Sequence, residues 1–214
     1  MALPRPTALV ADPLSSASLR VLCALRHKGI ELPLQVVQLR AGEQRGAAHR
    51  ALNPAQAVPV LLLEGGEAIS QSIAILEYLE AAFPHPALLP ADPLQAARVR
   101  SLCSLVAADI HPLTNLRVRE RIAAAAGPTA RDEWVRHWSA EGLAALEGWL
   151  ARWSGRFSVG DQPSLADFFL VPAVFTMRRL GCAPTPGTAV DRVYRQALQL
   201  PAFERVVAAG GQAA

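Results

Sequence analysis

A change in hydrophobic pattern near residue 86 places the strongest limit on what this chain of 214 residues can fold into. Before this point short apolar runs alternate with helical periods, whereas only long helical periods follow it. Four prolines lie between residues 84 and 93, which is typical of a linker. We therefore predict two domains, residues 1–86 and residues 87–214.

The first domain is predicted to be a small mixed sheet with helices packed against it. Short apolar or alternating runs indicate four strands, at Thr7–Val10, Leu34–Leu39, Val58–Leu63 and Ala68–Ser70. Helical periods predict one helix that follows a serine-rich turn and ends near Gly29, and a second helix that begins at Gln71. This order of strands and helices is typical of an α/β domain.

The second domain is predicted to be all-α. Helices are expected near Leu94–Val118, Ala130–Trp153, Ser164–Leu180 and Val190–Leu198, followed by a short one from Ala202. No strand pattern is evident after residue 93, so a bundle of helices is the expected architecture.

Composition and charge exclude several classes of protein. Hydrophobic residues make up 51% of the chain and charged residues 18%, which excludes a disordered protein. No run of about 18 apolar residues predicts a membrane span, and the first residues do not match a secretory signal, so we expect a cytoplasmic protein. The net charge of +3 arises after residue 86 and is scattered along the predicted helices, so no nucleic acid is expected as a partner.

The three cysteines, Cys23, Cys103 and Cys182, are far apart and form no C-x-x-C pair. Neither a disulfide framework nor a metal site follows from that spacing. Each cysteine lies in an apolar stretch, so we expect three buried thiols and no bound metal.

Several short strings form an ordered set along the chain. Residues 51–54 read ALNP and are followed by Val58-Pro59, residues 71–79 read QSIAILEYL, and residues 164–167 read SLAD. Together with the two-domain organisation, this set resembles the cytosolic glutathione transferases, in which the Ser-x-x-Asp string is an N-capping box. The resemblance implies a thioredoxin-like first domain, a helical-bundle second domain, glutathione as the cofactor and a homodimer.

Two further strings resemble one branch of that family. Residues 15–21 read SSASLRV, similar to the serine-rich signature of the zeta class, and residues 109–118 read DIHPLTNLRV, similar to its bacterial isomerases. The implied function is cis–trans isomerisation of a maleyl keto acid, maleylacetoacetate or maleylpyruvate, within aromatic amino acid catabolism. A general transferase that conjugates glutathione to hydrophobic electrophiles, and a non-catalytic binding or stress-related protein of the same fold, are the alternatives.

Ser15 and Ser16 are the candidate catalytic residues. A free thiol has a pKa of about 8.5, so a protein that uses glutathione must stabilise its thiolate. The N-terminus of a helix does so with unpaired N–H groups and the positive end of its dipole, and Ser15 precedes a predicted helix. The alternative is that these serines only cap the helix.

The other candidate glutathione-binding residues are Val58, Pro59, Gln71 and Ser72. The resemblance implies a cis Val58-Pro59 bond that turns the Val58 backbone toward an extended ligand, with a trans proline at a sheet edge as the alternative. Gln71 and Ser72 open a helix, where they can bind a carboxylate, and simple capping by Ser72 is the alternative.

The candidate substrate-binding residues are His111, Asn115, Arg117 and Arg179. The offset of four between His111 and Asn115 places them on one face of a predicted helix. In the resembling isomerases this region and a later arginine face the active site, and the arginine fork suits the carboxylates of an organic acid. The alternative is that the arginines are solvated helix residues.

Two positions depart from the zeta signature, which commonly has arginine and cysteine where this chain has Leu14 and Ala17. The loss of the arginine removes a cation beside the thiolate and a substrate carboxylate. We expect intact glutathione binding, weakened isomerisation of dicarboxylates and tolerance of more hydrophobic electrophiles.

Overall fold

The structure is a computed structural model that describes residues 3–204, 206 and 208. The chain divides into two compact units, Met1–Leu88 and Leu89–Ala214. Within the described residues, no helix combines the length and the apolar character that a membrane crossing requires.

The first unit is a four-stranded mixed sheet with three helices. Its elements in chain order are β1 (Pro6–Ala11), α1 (Ser16–His27), β2 (Leu34–Val36), α2 (Ala47–Leu52), β3 (Val60–Leu63), β4 (Ala68–Ser70) and α3 (Ser72–Ala82). The strand order is β2-β1-β3-β4, with β1 parallel to β2 and the other two pairs antiparallel. The predicted mixed sheet is therefore confirmed, and β1, α1 and β2 form a parallel β-α-β unit.

Local signals explain where these elements end. The Ser15 side chain caps the start of α1, and Gly29, with a φ of 66°, follows its end. The second strand stops at Val36, earlier than the predicted Leu39. Side-chain carboxylates explain the difference, because the backbone N–H groups of Gln38 and Leu39 donate to Glu43 and Asp12 instead of extending the ladder.

The second unit is built of helices. They are α4 (Pro93–Ser104), a π-helical turn (Leu105–Ile110), α5 (His111–Thr114), α6 (Leu116–Trp153), α7 (Leu165–Arg179) and α8 (Ala189–Ala197). Most of α7 is buried, and its N-terminus carries the predicted capping box of Ser164 and Asp167. The Asp167 carboxylate also accepts hydrogen bonds from the N–H and Oγ of Ser158, at 2.8 and 2.7 Å. Burial raises the pKa of Asp167, while its four hydrogen bonds oppose that shift.

Two predictions about the helices of this unit are wrong. A single helix over Leu94–Val118 does not form, because Asn115 leaves the helical conformation and caps the next helix by accepting from Arg117 N at 3.2 Å. Residues 119–129, which lie between two of the predicted helices, belong to the long helix α6. Only Gly127, with a φ of 87°, interrupts α6, and Pro128 follows where the helix resumes.

Candidate functional site

The N-terminus of α1 presents free backbone donors beside Ser15. The first backbone bond of the helix runs from Leu19 N to Ser15 O, and no hydrogen bond of the described residues uses the N–H of Ser16 or Ala17. The Ser15 Oγ accepts from Ser18 N at 3.5 Å, a long contact that leaves its own O–H proton uncommitted. This terminus can therefore offer a hydroxyl and two amides to an anion.

Ser16 lies deeper than Ser15. It is 3% exposed, and its Oγ has no hydrogen-bond partner among the described residues, as is also true of the Ser18 Oγ. The half-buried Ser15 is thus the more accessible of the two predicted catalytic serines. A catalytic role for either serine stays a prediction.

The peptide bond between Val58 and Pro59 is cis, so the trans alternative is wrong. The ladder between β3 and β4 begins at the Val60–Ser70 pair, which leaves the backbone of Val58 outside it. Just before this bond, the carbonyl of Ala57 accepts from Asn53 Nδ2 at 2.8 Å and lies 3.0 Å from His49 Nε2. Because a carbonyl only accepts, His49 must carry its proton on Nε2 for this contact to be a hydrogen bond.

Gln71 has a backbone conformation that side chains rarely adopt, with φ 73° and ψ 119°. It is exposed and directly precedes α3. Such strained residues cost about 1–3 kcal/mol and cluster at ligand sites. The Gln71 side chain makes no capping hydrogen bond, and within the described residues nothing accepts from the N–H groups of residues 72, 73 and 74.

Ser72 does not cap α3, so that alternative is wrong. It is the first residue of the helix, and its Oγ accepts a buried hydrogen bond of 3.1 Å from Arg20 Nη1. Sequence reasoning missed Arg20, although Cys23 and Ala24, one helical turn later on the same face of the helix, are apolar and indicate that this face is buried.

His111 and Asn115 are brought together, but not on one helix as predicted. His111 begins α5, which directly follows the π-helical turn, while Asn115 caps α6, and their Nε2 and Nδ2 atoms lie 3.3 Å apart. Trp134 Nε1 donates to the carbonyl of Leu113 at 2.8 Å and so holds the segment between them. A π-helical turn is rare and is often found at functional sites.

The two predicted substrate-binding arginines lie on other helices of the same unit. Arg117 is exposed on the first turn of α6. Arg179 is the exposed last residue of α7, and its guanidinium lies 5.6 Å from the ring centre of Phe175. Among the described residues, neither guanidinium makes an ion pair, so both keep their hydrogen-bond donors available.

Leu14 is 51% exposed and lies directly before the N-terminus of α1. Its N–H donates to Asp12 Oδ1 at 2.8 Å, which fixes the loop ahead of Ser15. The approach to Ser15 is therefore apolar where the zeta signature has an arginine. Ala17 is half-buried in the first turn of the helix.

The three cysteines are buried and form no disulfide bond, as predicted. In the part of the chain that the structure describes, no three His, Cys, Asp or Glu residues are grouped closely enough to hold a metal ion.

Comparison with known proteins identifies the class. The family model of the glutathione S-transferase N-terminal domain matches residues 14–82, and that of the C-terminal domain matches residues 131–199. The chain belongs to the glutathione S-transferase family.

Within that family the chain is similar to zeta-class isomerases. It is 40% identical to the maleylacetoacetate isomerase of Pseudomonas aeruginosa, over 89% of this chain and 91% of that protein. It is also 40% identical to the maleylpyruvate isomerase of a Ralstonia species, over 91% and 93% of the two chains. A solved zeta-class maleyl pyruvate isomerase in its holo form superposes with a TM-score of 0.87, at 39% identity over 94% of this chain and 96% of that one.

A second solved structure bears on the cofactor. The maleylacetoacetate isomerase of Anaeromyxobacter dehalogenans, with glutathione bound in its active site, has a TM-score of 0.85 to this chain. The identity is 39%, over 95% of this chain and 96% of that one.

Proposed function

We propose that this protein isomerises a maleyl keto acid, maleylacetoacetate or maleylpyruvate, with glutathione as its cofactor. The observation that carries the proposal is the pair of helix N-termini in the first unit, at Ser15 and Ser72, whose backbone N–H groups are free to bind anions. Two relatives that are 40% identical to this chain are named as these isomerases, which supports isomerisation among the glutathione-dependent reactions.

The residues present fit glutathione. Its γ-glutamyl carboxylate matches the free N–H groups that follow Gln71, beginning with that of Ser72. Its extended backbone matches Val58 outside the ladder, and its thiol matches the hydroxyl of Ser15. When bound, glutathione supplies a thiolate that adds reversibly to the activated double bond, so that the resulting single bond rotates before the thiolate leaves. Glutathione is therefore not consumed.

Ser15 stabilises the anionic form of a thiol. Its hydroxyl proton donates to the sulfur, and the amides at the N-terminus of α1 add the positive end of the helix dipole. Both effects lower a thiol pKa below its usual value of about 8.5. At neutral pH the fraction of nucleophilic thiolate therefore rises.

Arg117 and Arg179 bind the carboxylates of the organic acid. Each offers a planar fork of donors, and the stacking of Arg179 on Phe175 limits the directions in which its fork can point. His111 and Asn115, held 3.3 Å apart, complete the set of polar groups that contact the substrate.

A second candidate function is conjugation of glutathione to hydrophobic electrophiles. The exposed Leu14 beside Ser15 favours it, because an apolar approach binds an uncharged electrophile better than a dicarboxylate. In this reaction the thiolate would form a C–S bond to the electrophile, and with a chlorinated aromatic the C–Cl bond would break and chloride would leave.

One comparison of substrates tests both functions. Purified protein is assayed with maleylacetoacetate or maleylpyruvate, and separately with a chlorinated aromatic electrophile, each with and without glutathione. Glutathione-dependent isomerisation without thiol loss supports the first function, whereas thiol loss with the electrophile supports the second. No turnover in either assay would contradict both and leave a non-catalytic protein of this fold.

We also propose a cytoplasmic homodimer that acts in aromatic amino acid catabolism. Membership of the family supports the pairing of two copies. Light scattering that shows only monomer would contradict the dimer.

A further inference from the structure

We propose that Arg20 is a positioning residue for the glutathione site. By donating to the Ser72 hydroxyl oxygen, Arg20 directs the hydroxyl proton of Ser72 toward the γ-glutamyl carboxylate. The inference rests on the proposed function, because it takes glutathione as the ligand. Arg20 is 1% exposed within the first unit, and its Nη1 donates to Ser72 Oγ at 3.1 Å across 52 positions of sequence. Arg20 therefore acts on the ligand only through Ser72.

The direction of this hydrogen bond decides what Ser72 can do. A serine hydroxyl has one proton to donate and two lone pairs, whereas a guanidinium has donors only. Ser72 Oγ must accept from Arg20, so its own proton points elsewhere. No other hydrogen bond of the Ser72 side chain occurs among the described residues, and that proton is available to a ligand at the start of α3.

The resulting array suits a carboxylate. The Ser72 hydroxyl joins the backbone N–H groups of residues 72–74, which are also free within the described part of the chain. A carboxylate oxygen accepts several such hydrogen bonds at a helix N-terminus.

Calorimetry with two ligands tests the assignment. Glutathione is compared with an analogue in which the γ-glutamyl α-carboxylate is amidated, on the wild type and on Arg20→Met, Arg20→Lys and Ser72→Ala. Loss of one charge-assisted hydrogen bond predicts that Arg20→Met and Ser72→Ala each weaken glutathione binding by about tenfold or more. The same variants should change the affinity for the amidated analogue by less than about threefold, and Arg20→Lys should fall between Arg20→Met and the wild type.

Controls separate this role from a general effect on folding. Arg26→Met removes an exposed arginine from the same helix and should leave both affinities unchanged. The double variant Arg20→Met/Ser72→Ala should bind glutathione about as well as Ser72→Ala alone, because Arg20 acts through that hydroxyl. Thermal unfolding without ligand shows which variants remain folded.

Each outcome decides the inference. Equal weakening of both ligands in Arg20→Met means a purely structural role and overturns it. If Arg20→Met fails to fold, the same comparison is made with Ser72→Ala and Arg20→Lys. A larger loss of affinity for glutathione than for the amidated analogue then supports the inference, and equal losses overturn it. If the wild type does not bind glutathione, the proposed function is overturned as well. If the wild type binds it and the variants lose equal affinity for both ligands, only this inference is overturned.

Discussion

Replacing Lys28, the only lysine of the chain, should strongly destabilise the first unit. Its side chain is 1% exposed, and its Nζ donates to the carbonyls of Phe83 and Pro86 at 2.7 and 2.8 Å. The same ammonium group pairs with Glu80 Oε2 at 2.8 Å. The change Lys28→Met keeps the apolar stem and removes the charge, leaving the carboxylate and both carbonyls without this partner.

The size of the effect follows from the burial of the two partners. Removing one member of a buried ion pair costs about 3–5 kcal/mol, because the remaining charge loses its oppositely charged partner inside the protein. The Glu80 side chain keeps 13% of its surface exposed, so we expect the lower end, about 3 kcal/mol. For a chain of this size that loss lowers the melting temperature by roughly 6–12 °C.

Urea unfolding monitored by tryptophan fluorescence and circular dichroism measures this change. Arg40→Met, which removes an exposed cation from the same unit, is the matched control and should change the free energy of unfolding by less than about 0.5 kcal/mol. Adding Glu80→Gln to Lys28→Met removes the carboxylate charge and keeps an oxygen for the N–H of Leu88, now 2.8 Å from Glu80 Oε1. The double variant should therefore be the more stable of the two by about 1 kcal/mol.

Two results would refute the reasoning. The first is a Lys28→Met variant within about 1 kcal/mol of the wild type, which would show that the ammonium contributes little net stability. The second is a double variant less stable than Lys28→Met, which would show that the charge on Glu80 is not the source of the cost.

Three further predictions follow from single residues. Leu14→Arg should raise isomerase kcat/KM by about tenfold, because the added cation gains at least ~1.4 kcal/mol with a substrate carboxylate. Steady-state kinetics measures this, with the uncharged Leu14→Gln as the control. Equal gains in the two variants would contradict the prediction. Asp167→Ala should lower the free energy of unfolding by about 3 kcal/mol or more, because four hydrogen bonds are lost in the interior. Urea unfolding measures this change, and a loss of less than about 1 kcal/mol would contradict the prediction. Burial, and then the charge of Lys28, lower the pKa of His27. Below about pH 6.5 the unfolded state therefore takes up a proton before the folded state does, so the free energy of unfolding falls. Above that pH the contribution of neutral His27 to stability is fully present. Unfolding free energies measured from pH 5 to 8 should show a smaller fall in His27→Gln than in the wild type.

Elements that depend on neighbouring residues were predictable. The start of α1 at Ser15 and its end before Gly29 follow from a capping hydroxyl and a glycine with positive φ, both local in sequence. The capping box at Ser164 and Asp167 is local for the same reason. The resemblance to the family added the candidate glutathione-binding positions, whose roles remain predictions.

The break at Asn115 was not predictable from periodicity. Both a continuous helix and a cap satisfy the local pattern of residues 94–118, and asparagine is tolerated in either. In the folded chain Trp134, 21 positions later, donates to the carbonyl of Leu113 and so favours the interrupted form. A contact at that separation carries no periodic signal in the sequence.

The sequence by itself determined the four strands of the first unit, the helices α1 and α3 and their α/β order, because hydrophobic period, capping residues and glycines act over a few positions. Only the tertiary structure decided which side chains meet. Packing of α1 against α3 brings Arg20 to Ser72, 52 positions away, and Lys28 to the carbonyl of Phe83, 55 positions away. These contacts arise when the burial of apolar faces brings distant segments together, and the buried polar groups must then find partners wherever the packing leaves them.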